Sequence, residues 1–168
     1  MLVNGLPGSG KSTLGRPLAV ALRAGFLSKD AVKEALVSCV DDAVVPALGG
    51  VAMDAVWRLA QVSSGTVVID SWWFRPRDLL FAEAGIEMSG AAGVVEVWCE
   101  VPTDVARARY ASRQRAAMYG DEQRLADDWD VWAEQGVPLG VGPVVRVDTA
   151  QSVDYADLAA RIERPGTL

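Results

Sequence analysis

The chain has 168 residues, of which 51% are hydrophobic and 23% charged, and a formal net charge of −6. This size and balance fit one globular domain with a real core. They exclude a membrane span, because no apolar run approaches roughly 18 residues, and they disfavour a broad nucleic-acid surface, which carries a basic excess.

Residues 1–4 read as a very short first strand. Directly after it comes Gly5-Leu6-Pro7-Gly8-Ser9-Gly10-Lys11-Ser12-Thr13, a full G-x-x-x-x-G-K-[ST] phosphate-binding loop. Each position has a physical task on a nucleoside triphosphate. The glycines let the backbone curl so that successive N–H groups point at the β-phosphate. Lys11 reaches the β and γ oxygens, and the Ser12 hydroxyl is a ligand for the bridging Mg²⁺. The helix that starts at Lys11 adds the positive end of its dipole. Gly5, Pro7, Gly8, Ser9, Gly10, Lys11, Ser12 and Thr13 are the expected nucleotide-binding set, with ATP and Mg²⁺ as the bound species.

The helix after the loop is expected over 11–24. Gly15 and Pro17 lie inside it, and Pro17 removes an N–H, so a bend is expected there. A strand over 25–28 leads to a helix over 29–40. Asp30, just beyond that strand, should project from the same sheet edge as the loop. It is either a general base toward a substrate hydroxyl or, with Ser28, a helix cap. Lys33 falls one turn later on the same face.

A helix over 46–62 precedes the β-branched strand 66–70, which ends in Asp70. A carboxylate there either holds Mg²⁺ or orients an acceptor, or caps the next turn. Ser71-Trp72-Trp73-Phe74-Arg75-Pro76-Arg77 follows. Three consecutive aromatics in a loop cannot all enter one core, so Trp72 is a candidate pocket floor. Arg75 and Arg77 are either contacts to an anionic acceptor or surface residues.

A helix over 77–84 and a strand over 93–100 lead to an arginine-rich helix over 103–118. Arg109 and Arg113 would share a face of it, while Arg107 and Arg115 point elsewhere. Such a pair suits charge stabilisation over a transferring phosphoryl group, or is a solvated face laced to Asp121, Glu122, Asp127 and Asp128. Helix 122–134, strand 144–147 and helix 153–164 close the chain. The alternation implies a parallel sheet covered on both faces, with ligands at the carboxyl ends of its strands. The first strand should be central although it is only four residues long; either the sheet is short at that end or the natural start lies upstream.

Histidine is absent, so acid–base work falls to Asp, Glu or Lys. Cys39 and Cys99 lack C-x-x-C spacing and are expected to be free thiols. No secretory signal fits before a motif that begins at residue 5, and a cytoplasmic location is expected.

Three elements resemble the small P-loop kinases of the polynucleotide-kinase, chloramphenicol-phosphotransferase and zeta-toxin-like type. They are G-L-P-G-S-G-K-S-T at 5–13, Asp30 with Lys33, and V-P-T-D-V-A-R-A-R-Y-A-S-R at 101–113. The resemblance implies an α/β P-loop NTPase three-layer sandwich with a five-stranded parallel sheet in the order 2-3-1-4-5. It implies a single domain over 1–168 with a helical lid at about 107–135. Asp30 would be the base, Lys33 and Asp70 acceptor contacts, and Ser12 and Asp70 the metal site; Trp72 and Arg75 are acceptor candidates on the residue reading alone, because the Trp-Trp-Phe loop departs from the family's pattern. Arg109 and Arg113 would be lid arginines, with Arg109 also on the nucleotide, and the adenine would lie near Asp148-Thr149-Ala150. The implied reaction moves the γ-phosphate of Mg-ATP to a hydroxyl of a small molecule. A polynucleotide 5′-hydroxyl kinase or a non-kinase ATP-hydrolysing switch are the alternatives, and oligomeric state is left open.

Overall fold

The computed structural model describes residues 1–164. Five strands, β1 (Leu2–Asn4), β2 (Gly25–Ser28), β3 (Val67–Asp70), β4 (Glu96–Glu100) and β5 (Val144–Asp148), form one sheet in the order β2-β3-β1-β4-β5. Every pairing is parallel. The expected order is therefore the observed one.

β1 has only three residues in this central position, and its burial explains why they suffice. Leu2, Val3 and Asn4 are all buried, and successive side chains point to opposite faces. Val3 enters a core with Leu14 and Leu18 of α1 (Lys11–Ala21), Val68, Val97, and Leu158 of α8 (Tyr155–Glu163). Leu2 enters the other core, with Met53, Val56 and Trp57 of α3 (Leu48–Val62), Ala82 of α4 (Arg75–Ser89), Ile69 and Trp73. Helices thus cover both faces, which makes the three layers.

α1 runs through Pro17, which lies exposed on its outer side. Gly15 has a packing reason: a Cβ there would come within 3.0 Å of the Phe26 ring and 3.8 Å of the Asp70 Cβ, so glycine lets α1 lie close over β2 and β3. α4 starts two residues before the expected Arg77, because the Asp78 carboxylate accepts from the Phe74 amide at 2.8 Å and Pro76 suits the first turn. The aromatic loop divides between cores. Trp73 is buried beneath α3 and α4, while Trp72 and Phe74 pack on a third cluster of Leu6, Ala106, Tyr110, Trp129 and Trp132.

The arginine-rich segment differs most from expectation. α5 is Thr103–Ala111, not 103–118; residues 112–116 are irregular, and a short 3-10 turn covers Ala117–Tyr119. Arg113 therefore does not share a helical face with Arg109. Two short helices follow, α6 (Asp121–Asp127) and α7 (Trp129–Gln135), where one was expected. Trp129 and Trp132 pack edge-on to each other and both pack on Tyr110, which fixes α7 against α5.

Candidate functional site

The loop between β1 and α1 has the backbone its glycines permit. Gly5, Gly8 and Gly10 have φ of 142°, 86° and 87°, a region that side-chain-bearing residues rarely adopt. At Gly8 the need is also spatial, since a Cβ would run into the Ala106 carbonyl of α5. Lys11 is buried, and its Nζ donates to the Gly5 carbonyl at 2.9 Å and the Leu6 carbonyl at 3.0 Å. Burial pulls its pKa down to about 8, with Asp70 acting in the opposite direction. The ammonium is held ready inside the loop, short of full charge compensation.

The base of the loop is fixed by a network that the sequence reading did not single out. Asn4 Oδ1 accepts from the amides of Gly5 at 2.8 Å and Trp73 at 3.1 Å. Asn4 Nδ2 donates to the fully buried Glu96 carboxylate at 2.9 Å, which also accepts from the amides of Leu139 and Gly140. One buried amide and one buried carboxylate thus tie β1, β4, the aromatic loop and the approach to β5 into a single frame. The available signal was a polar residue at the end of a buried strand beside another at the start of β4.

Asp70 is buried at the end of β3, beside β1. Burial raises its pKa, and the neighbouring Ser12 side chain and Lys11 charge partly oppose that rise. Ser12 and Asp70 are hard oxygen donors facing the same space. Among the described residues no group of three or more His, Cys, Asp or Glu side chains forms a metal cage. This donor set fits an ion such as Mg²⁺, which keeps waters and is held mainly through substrate phosphates plus one or two protein oxygens.

Asp30 is the second residue of α2 (Lys29–Val37). The cap is Ser28, whose hydroxyl accepts from the Ala31 amide, so the Asp30 carboxylate is not used for capping. It instead accepts from Arg115 Nη1 at 2.9 Å. Arg115 also binds Asp121 through two hydrogen bonds of 2.7 Å each, and Asp121 accepts from the Tyr110 hydroxyl at 2.8 Å. Burial alone would lower the Arg115 pKa, but the Asp121 and Asp30 carboxylates more than reverse that and raise it. The same contacts hold Asp121 below the usual carboxylate range against its own burial. Tyr119 donates to Glu34 at 2.9 Å, and Arg115 and Lys33 lie over its ring. Arg115, expected to point elsewhere, is thus the arginine that joins the lid segment to α2.

A cavity of about 430 Å³ joins these parts. Of the residues singled out in the sequence, Pro7, Lys11, Ser12, Asp30, Lys33, Asp70, Trp72 and Arg113 line it together. Arg77, Tyr110, Arg115, Tyr119 and Lys29 line it as well. Arg75 is exposed and outside the lining. Arg109 is outside it too, and its Nη1 donates to the Thr149 carbonyl at 3.2 Å. The Thr149 hydroxyl in turn donates to the Ser9 carbonyl at 2.6 Å, so the segment after β5 abuts the phosphate loop beside Gly10. Ser9 is fully buried, and its hydroxyl has no hydrogen-bond partner among the described residues. Thr13 is exposed on α1.

Residues 1–132 match the profile of the AAA domain family. The chain belongs to that family. Among solved structures, this AAA domain protein is similar to a presumed kinase from Chloroflexus aurantiacus, with 22% identity, a TM-score of 0.72, and coverage of 96% of this chain and 95% of the other. A sugar kinase from a Janibacter species follows at 16% identity and a TM-score of 0.62, covering 96% and 90%. Shikimate kinase from Bacteroides thetaiotaomicron gives 17% and 0.59, covering 96% and 94%. At such identities the likeness establishes the fold, which is that of the P-loop kinases. No curated protein sequence matches the chain. Among the described residues, no helix is long and apolar enough to cross a membrane.

Proposed function

We propose that this AAA domain protein is a kinase that moves the γ-phosphate of Mg-ATP to a hydroxyl of a small molecule. The observation that carries the reading is the shared cavity: Lys11 and Ser12 of the phosphate loop and the carboxylates of Asp30 and Asp70 line one space. Phosphoryl transfer needs this juxtaposition, because catalysis there is positioning plus charge stabilisation.

In this reading the loop amides and Lys11 hold the triphosphate, and the Mg²⁺ that accompanies it, held by Ser12 and Asp70, would offset phosphate charge. Asp30 accepts the proton of the attacking hydroxyl, and Lys33 helps to place the acceptor. Arg113, which stacks at 5.9 Å over the Tyr110 ring and lines the cavity, faces the transferring group. Arg109 serves the nucleotide side, through Thr149. Trp72 floors the acceptor space. One domain over residues 1–168, of which 165–168 lie outside the described residues, carries the reaction, with a lid at about 107–135 and a cytoplasmic setting. The acidic net charge favours a metabolite, nucleoside or antibiotic over a polynucleotide end. The solved relatives described as sugar and shikimate kinases, named for small acceptors, support that choice.

The test is incubation with γ-labelled ATP and a pooled library of metabolites, nucleosides and antibiotics, alongside Lys11→Ala. Label transfer to a small molecule by the wild type alone is expected. Release of inorganic phosphate with no labelled acceptor would instead indicate a hydrolysing switch.

A further inference from the structure

All three lysines of the chain, Lys11, Lys29 and Lys33, line the same cavity. Seven basic residues line it against four acidic ones, in a chain whose net charge is −6. Most of those cations are already engaged. Lys11 donates to loop carbonyls, Lys33 to the Met118 carbonyl, Arg77 to Asp78, and Arg115 to Asp30 and Asp121. Three make no side-chain hydrogen bond or ion pair to a described residue: Arg113, which lies over the Tyr110 ring, Arg124, and Lys29, which is partly buried on α2 and is the lysine among them.

The surroundings of Lys29 leave room for a ligand. Its Nζ lies 4.0 Å from where a Gly49 Cβ would stand, and a Cβ at Gly50 would meet nothing. Two consecutive glycines in the first turn of α3 weaken a helix, and here they keep that wall open. The charges that act on Lys29 are those of Asp30, Arg77, Lys33 and Asp78, whereas Asp70 acts most strongly on Lys11. Lys11, Asp30 and Lys29 line the same cavity.

A second observation concerns the walls. Trp72 and Trp73 line the cavity, but both indole N–H groups are buried away from it, without a partner among the described residues, so the two residues offer apolar surface rather than donors. Lysine ammonium can only donate. Lys29 beside aromatic walls selects an acceptor-bearing group on a flat apolar body.

We propose that the acceptor carries, besides the hydroxyl that meets Asp30, an anionic group, carboxylate or phosphate, which binds Lys29 at the wall formed by α2 and α3. This rests on the kinase reading and narrows its substrate class. Lys29 is a specificity residue, not part of the phosphate machinery.

The test is calorimetric titration of the full chain, with magnesium and a non-hydrolysable ATP analogue present. Three matched probes are used: para-hydroxymethylbenzoate, para-hydroxymethylphenyl phosphate and the neutral para-hydroxymethylbenzamide. At least one acidic probe is expected to bind about tenfold or more tighter than the amide, and which one distinguishes carboxylate from phosphate. Lys29→Gln abolishes that preference, Lys29→Arg keeps it, and both bind the ATP analogue like the wild type. Equal binding of amide and acids overturns the proposal, as does a preference that survives Lys29→Gln, or no acidic probe binding up to about 10 mM. Failure of the wild type to bind the ATP analogue, read in a separate titration, removes the kinase reading itself and the proposal with it.

Discussion

Arg115 and Asp30 form an ion pair of 2.9 Å that joins the irregular stretch after α5 to the first turn of α2. The carboxylate is half exposed and the guanidinium mostly covered, so the pair by itself contributes about 0–1 kcal/mol. Its value is geometric. The same guanidinium grips Asp121, and through Tyr110 the grip reaches the cluster of aromatics that packs on Leu6. Arg115→Gln is therefore expected to loosen residues 112–120 without unfolding the protein. Hydrogen exchange should rise there by about tenfold or more while the sheet amides stay protected. Unchanged exchange in that segment would show that the aromatic cluster alone holds the lid.

Gly8 gives a sharper structural prediction. Its φ is 86° and a Cβ would collide with the Ala106 carbonyl, so Gly8→Ala must displace α5 from the phosphate loop. A loss of about 2–4 kcal/mol is expected, with Mg-ATP affinity falling as well. Thermal melting and calorimetry measure the two effects.

Lys11 makes nucleotide binding pH-dependent. Its pKa in the free protein is lowered to about 8 by burial, and a bound triphosphate restores the charged form. Binding near pH 8 should therefore take up about half a proton per site, seen as a dependence of the binding heat on buffer ionisation enthalpy. Affinity is flat at lower pH and falls as pH rises above 8. In the ligand-free protein the sign is opposite: stability rises from pH 8 towards the unfolded value, because there the unfolded chain holds a proton that the folded chain has released. Lys11→Met should remove both effects.

Glu96 tests the frame beneath the loop. It is fully buried and accepts from Asn4 and from two backbone amides. Glu96→Ala strands three neutral donors, each costing about 1–3 kcal/mol when left buried and unpaired, so a loss of about 3–5 kcal/mol is expected, measured by denaturant unfolding. Glu96→Gln, which keeps the shape and an acceptor oxygen, should cost less.

The phosphate loop and the alternation of strands and helices were legible because each rests on local signals: glycine spacing, β-branched runs and apolar period. The sheet order came from the family resemblance, since no local signal says which strands pair. Asp30, Asp70, Lys33 and Trp72 line one cavity because they lie at or just beyond strand ends on one edge of the sheet. The lid was not legible in the same way. Nothing local ends α5 at Ala111, since Ser112, Arg113 and Gln114 are tolerated in helices. The chain leaves the helix where Arg115 and Tyr119 gain partners on α2, a tertiary effect that helical periodicity cannot register. Lys29 was passed over because a lysine beside a helix start reads as a solvated charge until α3 is placed opposite it. Arg75 and Arg77 were indistinguishable until Asp78 fixed the start of α4.

The central claim is that Asp30 meets the acceptor hydroxyl while the loop around Lys11 holds the nucleotide. The most direct measurement is γ-phosphate transfer to the acceptor found in the library, paired with Mg-ATP calorimetry, for Asp30→Asn. Transfer is expected to fall by about 10²–10⁴-fold with nucleotide affinity unchanged. Transfer at the wild-type rate in Asp30→Asn would contradict the account.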